Sequence, residues 1–302
     1  MPSDSLARPY KNSVSDHKSK PHSAACSLSI SVVCYNSGEE QLRALIASLL
    51  ASLRVFQSST PLSLVTISLV DNSEDHNVKL DLFATHAEDL DSLGVELKLL
   101  QGQGNVGYGS AHNLVIRKSD ADYHLILNPD VVVREDCLRV GIAYLEINTD
   151  VAMASPYAEN ALGQKQYLCK RYPSIFTFLV RGFAPSALRR IFRQRLALFE
   201  MHDLSESTPT DDVTIASGCF MLCRTDKLNA IHGFDENYFL YFEDFDLSLR
   251  LAGVGKIAYV PEMKIRHSGG NSANKGWQHI KMFARSGVRF FNTHGWRFFK
   301  QQ

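Results

Sequence analysis

The chain has 302 residues, enough for one large core or two small ones, and at 45% hydrophobic and 21% charged it has the composition of an ordinary globular protein. Its 32 basic and 32 acidic side chains cancel, which excludes a wholesale nucleic-acid binder, and no apolar run reaches membrane-spanning length. The global balance hides a local asymmetry: residues 165–199 hold eight Lys or Arg and no Asp or Glu, and no acid follows Glu262. Six scattered cysteines (Cys26, Cys34, Cys137, Cys169, Cys219 and Cys223) read as reduced, mostly buried thiols of a cytosolic protein.

The opening residues 1–25, rich in Ser, Lys and Pro and lacking an apolar stretch, predict a disordered tail rather than a signal peptide. From Leu28 onward, short β-branched runs alternate with helical patterns, the signature of a mostly parallel sheet wrapped by helices. "LSISVVCY" reads as the first strand and "SGEEQLRALIASLLASLR" as the following helix, capped by Asn36 or Ser37. "LSLVTISLVDNS" is a second strand ending in Asp71, and "VELKLLQG" a third. A glycine loop, "QGQGNVGYGSAHN", precedes a helix from about Gly109 to Lys118, and "YHLILNPDVVV" follows. Later, "DVTIASGCFMLCR" and "GKIAYVP" read as strands with the helix "FEDFDLSLRLAG" between them.

The glycine loop carries the Gly102-x-Gly104-x-x-Gly107 spacing of a dinucleotide fingerprint, but in the wrong place. That fingerprint belongs after the first strand, with its acid about twenty residues later. Here the glycines follow the third strand and Asp71 precedes them, which weighs against a nicotinamide or flavin oxidoreductase. Glycines at a strand end still let backbone N–H groups approach a nucleotide or sugar, or make a plain tight turn.

Three acidic or basic stations accompany the loop. Asp130 follows a strong strand on a turn stiffened by Pro129, placed either as an ordinary turn residue or as a ligand for a hard cation that grips a diphosphate. Glu243, Asp244 and Asp246 crowd a helix start, more acids than capping of the helix dipole requires, and a general base is the functional reading. His267, at the end of the last strand, could complete a metal site or simply be structural.

Taken in order, "SVVCYNS", "VDNS", "GNVGYGSAHN", "NPDVVV", "SGCFMLCR", "GFDENYFLYFEDFDLSLR" and "IRHSGG" resemble the glycosyltransferase family 2 enzymes of GT-A fold, in the rhamnosyltransferase-like branch that builds O-antigen and other cell-surface polysaccharides. The resemblance runs from about Leu28 to Asn271 and implies an α/β GT-A fold with a Rossmann-like nucleotide-sugar half and a later acceptor-side subdomain. It implies that Asp71 and Asn72 contact the nucleotide, that Gly107, Tyr108 and Asn113 line the donor pocket, and that Asn128 and Asp130 occupy the family's Asp-x-Asp motif. Asn128 replaces the first acid, so Mg²⁺ or Mn²⁺ would lean on Asp130 and His267. The family's Glu-Asp pair falls on Glu243 and Asp244, with Asp244 as base and Glu243 as fallback, while Asp246 and Arg250 hold the helix.

The organisation expected is a tail over 1–25 and a GT-A domain over 26–271. Within that domain lie a nucleotide half at about 26–135, an acceptor half at about 150–271 and a basic insertion at about 165–200, and a basic aromatic helical segment follows over 272–302. The expected reaction is inverting, metal-dependent transfer of a sugar, L-rhamnose from dTDP-rhamnose by resemblance, to a glycan or polyprenyl-diphosphate-linked acceptor. A UDP-hexose donor and a non-catalytic nucleotide-sugar or glycan-binding domain are the alternatives. The acid-free stretch "KRYPSIFTFLVRGFAPSALRRIFRQRLALF" reads either as an insertion helix with solvated arginines or as a peripheral contact to the inner face of the cytoplasmic membrane.

Overall fold

The computed structural model describes residues 25–269 and 276–299, so the expected N-terminal tail, apart from its last residue, lies outside the described residues. The chain begins with β1 (Cys26–Cys34), α1 (Glu39–Gln57) and β2 (Leu62–Asp71). A 3-10 turn (Leu80–His86) then leads through α2 (Ala87–Ser92) into β3 (Val95–Leu100), α3 (Tyr108–Ile116) and β4 (Tyr123–Leu127). These strands pair in parallel in the order β3, β2, β1, β4. Ile30, Val32, Ile67, Leu69, Leu125 and Leu127 are all buried, as expected for strands covered on both faces.

The run "YHLILNPDVVV" holds two strands on either side of the expected turn. After β4 the Asn128–Asp130 turn carries the chain away, and β5 (Val131–Val133) sits at the opposite edge of the sheet. Then follow α4 (Cys137–Ile147), β6 (Val151–Glu159), β7 (Lys165–Gln166) and β8 (Cys169–Lys170). The basic insertion forms three short helices, α5 (Ile175–Phe183), α6 (Ser186–Ile191) and α7 (Arg193–Phe199). Next come β9 (Ile215–Ala216), β10 (Phe220–Arg224), α8 (Thr225–Ala230), α9 (Glu243–Leu251), β11 (Lys256–His267) and α10 (Trp277–His294). β10 inserts antiparallel between β4 and β6, β11 runs parallel to β6, and β5 closes the edge antiparallel to β11.

The stretch expected as one strand before α8 is broken. β9 pairs with β8 in a separate ribbon, because the backbone of 217–219 bonds outside any ladder: Ser217 N to Leu168 O, Gly218 N to Asp244 Oδ2, and Asn128 N to Cys219 O. The α1 cap also differs from expectation. Gly38 occupies it, donating its N–H to Gln41 Oε1 (3.3 Å), while Asn36 turns left-handed and donates to Ser73 Oγ (2.9 Å).

Alternation along β10 shows the layering. Phe220 and Leu222 join the core under α1 and α4, and Met221 and Cys223 join the core under α9. A buried polar pin fixes α3 to the sheet, with Ser31 Oγ lying 2.7 Å from His112 Nδ1 and 2.8 Å from His124 Nε2. Burial depresses both imidazoles, His124 to about 3, so they stay neutral and serve as packing rather than charge. The His112 ring meets Tyr108 edge-on at 4.5 Å, which carries this rigidity into the cleft. All six cysteines are buried and free, and among the described residues no helix is long and apolar enough to cross a membrane.

Candidate active site

The carboxyl ends of β1, β2 and β4 open onto one cleft, as parallel α/β sheets require. Asp71 ends β2 with no solvent exposure. Its Oδ1 accepts from Ser73 N (2.9 Å), and its Oδ2 from Val78 N (3.1 Å) and Gln101 Nε2 (3.0 Å). Burial alone would raise its pKa, but these donors outweigh it and hold the carboxyl below its ordinary value. Asp71 therefore ties the 71–78 and 101–103 loops together beneath the pocket. Asn72 extends the tie, donating from Nδ2 to Gly107 O (3.1 Å) and accepting at Oδ1 from Gln103 Nε2 (3.3 Å).

Gly107 is glycine for a stated reason. Its φ is 89°, and a Cβ there would stand 2.6 Å from Phe239 O, the same carbonyl that accepts from Tyr108 N at 3.1 Å. Tyr108 then crosses the cleft floor, its hydroxyl 2.6 Å from Gly218 O and 3.0 Å from Asn128 Oδ1. It joins the turn that carries Asp130 to the loop that supports Asp244.

Asn113 does not line the pocket as expected. It is fully buried, donating from Nδ2 to Phe234 O (2.9 Å) and Glu236 Oε1 (3.0 Å) and accepting Phe234 N at Oδ1 (2.9 Å). Every polar group it has pins the 233–236 segment to α3, which leaves none for a nucleotide.

Asp130 and His267, 137 positions apart in sequence, meet where the Asn128–Asp130 turn faces the end of β11. His267 Nε2 lies 3.4 Å from Asp130 Oδ1, and Ser268 N donates to Asp130 O (3.2 Å). Asp130 Oδ1 is buried and receives no hydrogen bond. An orphaned carboxylate oxygen facing an imidazole nitrogen suits a hard cation that takes one or two protein ligands and fills its remaining positions from substrate phosphate and water. Among the described residues no third His, Cys, Asp or Glu completes a protein-only cage.

Glu243 and Asp244 open α9 behind two consecutive left-handed residues, Tyr241 (φ 71°) and Phe242 (φ 67°). Such backbone costs about 1–2 kcal/mol per non-glycine residue and persists only where packing dictates it. The packing comes from α10: Ser286 Oγ donates to Leu240 O (2.8 Å), Tyr241 Oη pairs with His279 Nδ1 (2.9 Å), and the Phe242 ring is enclosed by Phe283, Phe290 and Phe291. Asp246 continues the clamp, bonded to His294 Nε2 (2.8 Å) and to the Arg250 guanidinium (2.7 Å). Asp246 and Arg250 therefore hold the helix, as expected.

Asp244 Oδ2 accepts from Gly218 N (3.1 Å) and Oδ1 from Phe245 N (3.0 Å), whereas Glu243 Oε2 is buried with no partner. Burial first, and the neighbouring Asp244 charge second, push Glu243 up to about 8. Burial also raises Asp244, with the two backbone N–H groups pulling against it. Within the pair the two backbone donors favour charge on Asp244 over Glu243, whose Oε2 has none.

Other residues became visible only in three dimensions. Gln166 contacts His267, buried Lys170 extends toward the carbonyl of Tyr167, and exposed Phe239 stands over Gly107. Gln166 and Phe239 have no local sequence signal, since each meets its partner far along the chain.

Known proteins resemble this chain in sequence and in fold. The sequence model described as glycosyl transferase family 2 matches residues 29–231. Rhamnosyltransferase WbbL of Escherichia coli (strain K12) is 30% identical over 174 residues, 54% of this chain and 61% of the relative. An N-acetylglucosaminyl-diphospho-decaprenol L-rhamnosyltransferase of Mycobacterium tuberculosis (strain CDC 1551 / Oshkosh) is 30% identical over 196 residues, 59% of this chain and 61% of the relative. The chain thus spans about three fifths of these curated relatives. Among solved structures, GalNAc-T7 with UDP, GalNAc and Mn²⁺ aligns with a TM-score of 0.59 at 14% identity, over 89% of this chain and 48% of the other. Mannosyltransferase PcManGT of Pyrobaculum calidifontis with GDP-Man and Mn²⁺ aligns at 0.55 and 15%, over 88% and 65%. At such identities these two speak for the fold alone.

Proposed function

The chain belongs to glycosyltransferase family 2 and has the GT-A fold, and from that premise we propose that it is an inverting glycosyltransferase that moves L-rhamnose from dTDP-rhamnose to a lipid-linked or growing cell-surface glycan. One observation carries the reading: a cation-ready pair, Asp130 and His267, and a carboxylate base, Asp244, stand on the same cleft with Tyr108 between them. The names of the rhamnosyltransferase relatives support the sugar, and the diphospho-decaprenol in one of them supports the acceptor class.

In this reading Asp244 takes the proton of the acceptor hydroxyl as that oxygen attacks the anomeric carbon, and the bond from that carbon to the diphosphate breaks on the far side. No covalent enzyme intermediate forms. The N–H groups of Gly218 and Phe245 hold the carboxylate in place, and Glu243, protonated beside it, adds no second charge. Asp130 and His267 would hold Mg²⁺ or Mn²⁺, which supplies positive charge to the departing diphosphate. Gly107 stands at the nucleotide wall, braced from beneath by the buried Asp71 and Asn72 rather than the nucleotide contact expected of them, with Asn128 held against Tyr108.

A thermal-shift panel of dTDP, UDP, GDP and NAD⁺, with and without Mn²⁺ or Mg²⁺, tests this on wild type and Asp130→Asn. Metal-dependent stabilisation by dTDP alone, lost in Asp130→Asn, is the expected result. Preference for UDP would move the donor to a UDP-hexose, and indifference to metal and to Asp130 would remove the site assignment.

The basic insertion supports a peripheral membrane contact. Leu188, Arg189, Arg190, Ile191 and Arg193 are exposed, and exposed Phe298 and Phe299 lie beside the insertion, because Ile175 N and Phe176 N bond to the 297 and 298 carbonyls and the Phe176 ring meets both Phe192 and Phe299. Arg195 is turned inward, to Thr177, Ser174 and the Phe176 ring, and does not belong to that exposed set. Replacing Arg189, Arg190 and Arg193 by Gln should weaken binding to anionic liposomes, and undiminished binding would dismiss the contact.

A further inference from the structure

His267 does not meet Asp130 unaided. Gln166, on the two-residue strand β7 beside β6, grips it at two points: Nε2 donates to His267 O (3.1 Å), and Oε1 lies 2.9 Å from His267 Nδ1. A backbone carbonyl only accepts, so the first contact fixes which way the amide faces. The amide oxygen also only accepts, so Nδ1 must carry the ring proton. A histidine ligates a cation through an unprotonated nitrogen, and with Nδ1 holding its proton against Gln166 that lone pair is on Nε2. That lone pair faces the buried, undonated Oδ1 of Asp130 at 3.4 Å.

We infer that Gln166 is a positioning residue: it sets the His267 tautomer so that Nε2 is bare and aimed at Asp130, and thereby sets the affinity for a divalent cation. Outer partners of histidine ligands act in this way, and their loss costs on the order of 10- to 100-fold in metal affinity. The inference rests on the reading of Asp130 and His267 as the cation's holders. Its first half, the tautomer, is a property of the metal-free protein.

The test uses the full chain as wild type, Gln166→Leu and Gln166→Glu, with two readouts. Nitrogen-15 NMR of the metal-free protein should show His267 protonated at Nδ1 in wild type and in Gln166→Glu, which keeps an acceptor, but not in Gln166→Leu. Mn²⁺ titration followed by electron paramagnetic resonance should show affinity about 10- to 100-fold weaker in Gln166→Leu and within about threefold of wild type in Gln166→Glu. A wild-type ring protonated at Nε2, or Mn²⁺ binding unchanged in Gln166→Leu, overturns the inference. The expected tautomers with no Mn²⁺ uptake by any of the three proteins would uphold the positioning role and instead sink the metal reading.

Discussion

The two chemical stations of the cleft are built in opposite ways. Asp130 and His267 sit on a turn and a strand end and are oriented by hydrogen bonds, whereas Glu243 and Asp244 sit behind a left-handed backbone that an aromatic cluster on α10 holds in place. Polar orientation is local and can be removed without opening the core, while apolar orientation is the core itself. The metal side should therefore lose function without stability, and the base side should lose both.

Asp244→Asn gives the largest effect. Transfer should fall on the order of 100- to 10,000-fold, the usual worth of a general base, while metal-dependent nucleotide binding measured by calorimetry stays unchanged. Weakened nucleotide binding would mean that the two stations are not separable.

Phe290→Ala comes next. This ring is fully buried and packs on Phe242 at 5.3 Å and on Tyr172 at 5.6 Å. Its loss should cost about 3–5 kcal/mol in denaturant unfolding and lower turnover with it. Asp130→Asn, which relieves an undonated oxygen, should leave the unfolding midpoint near wild type. Equal destabilisation by both substitutions would erase the contrast.

Glu243→Gln should have the smallest effect, less than about tenfold on turnover, because this carboxyl already holds its proton at neutral pH. A base works deprotonated, so the rate should climb with pH through the raised Asp244 pKa, on an acid limb above the usual carboxylate range. A limb near pH 8 that disappears in Glu243→Gln would transfer the base role to Glu243.

Much of this was legible in the sequence where the signal is local. β1, β2, β3 and α1 follow from runs of apolar residues with strand or helix period, and the glycine loop with Gly107 could be excluded as a dinucleotide fingerprint by its position alone. Asp130 with His267, and Glu243 with Asp244, were found by residue type at element ends, yet the distance between them was not.

Where the reading departed from the fold, backbone hydrogen bonding or burial explains it. The run "YHLILNPDVVV" showed a strand and the Pro129 turn after it, but not where the chain goes next: the Asn128 N to Cys219 O bond holds the turn, and β5 lies at the far edge. Asn113 has the residue type of a ligand, and only its bonds to Phe234 and Glu236 reveal a pin.

By itself the sequence determined β1, β2, β3, α1, α3 and α9, the order of the motifs and the family, because periodicity and turn chemistry act over a few residues. The tertiary structure alone decided which polar atoms remain open. Asp71 is closed by Ser73, Val78 and Gln101, Asn113 by a segment 121 positions away, Asp130 Oδ1 and Glu243 Oε2 are left undonated, and Gln166 reaches across 101 positions to set the face of His267. Availability of a lone pair or a proton depends on burial and on every neighbour at once, and no stretch of sequence contains those neighbours.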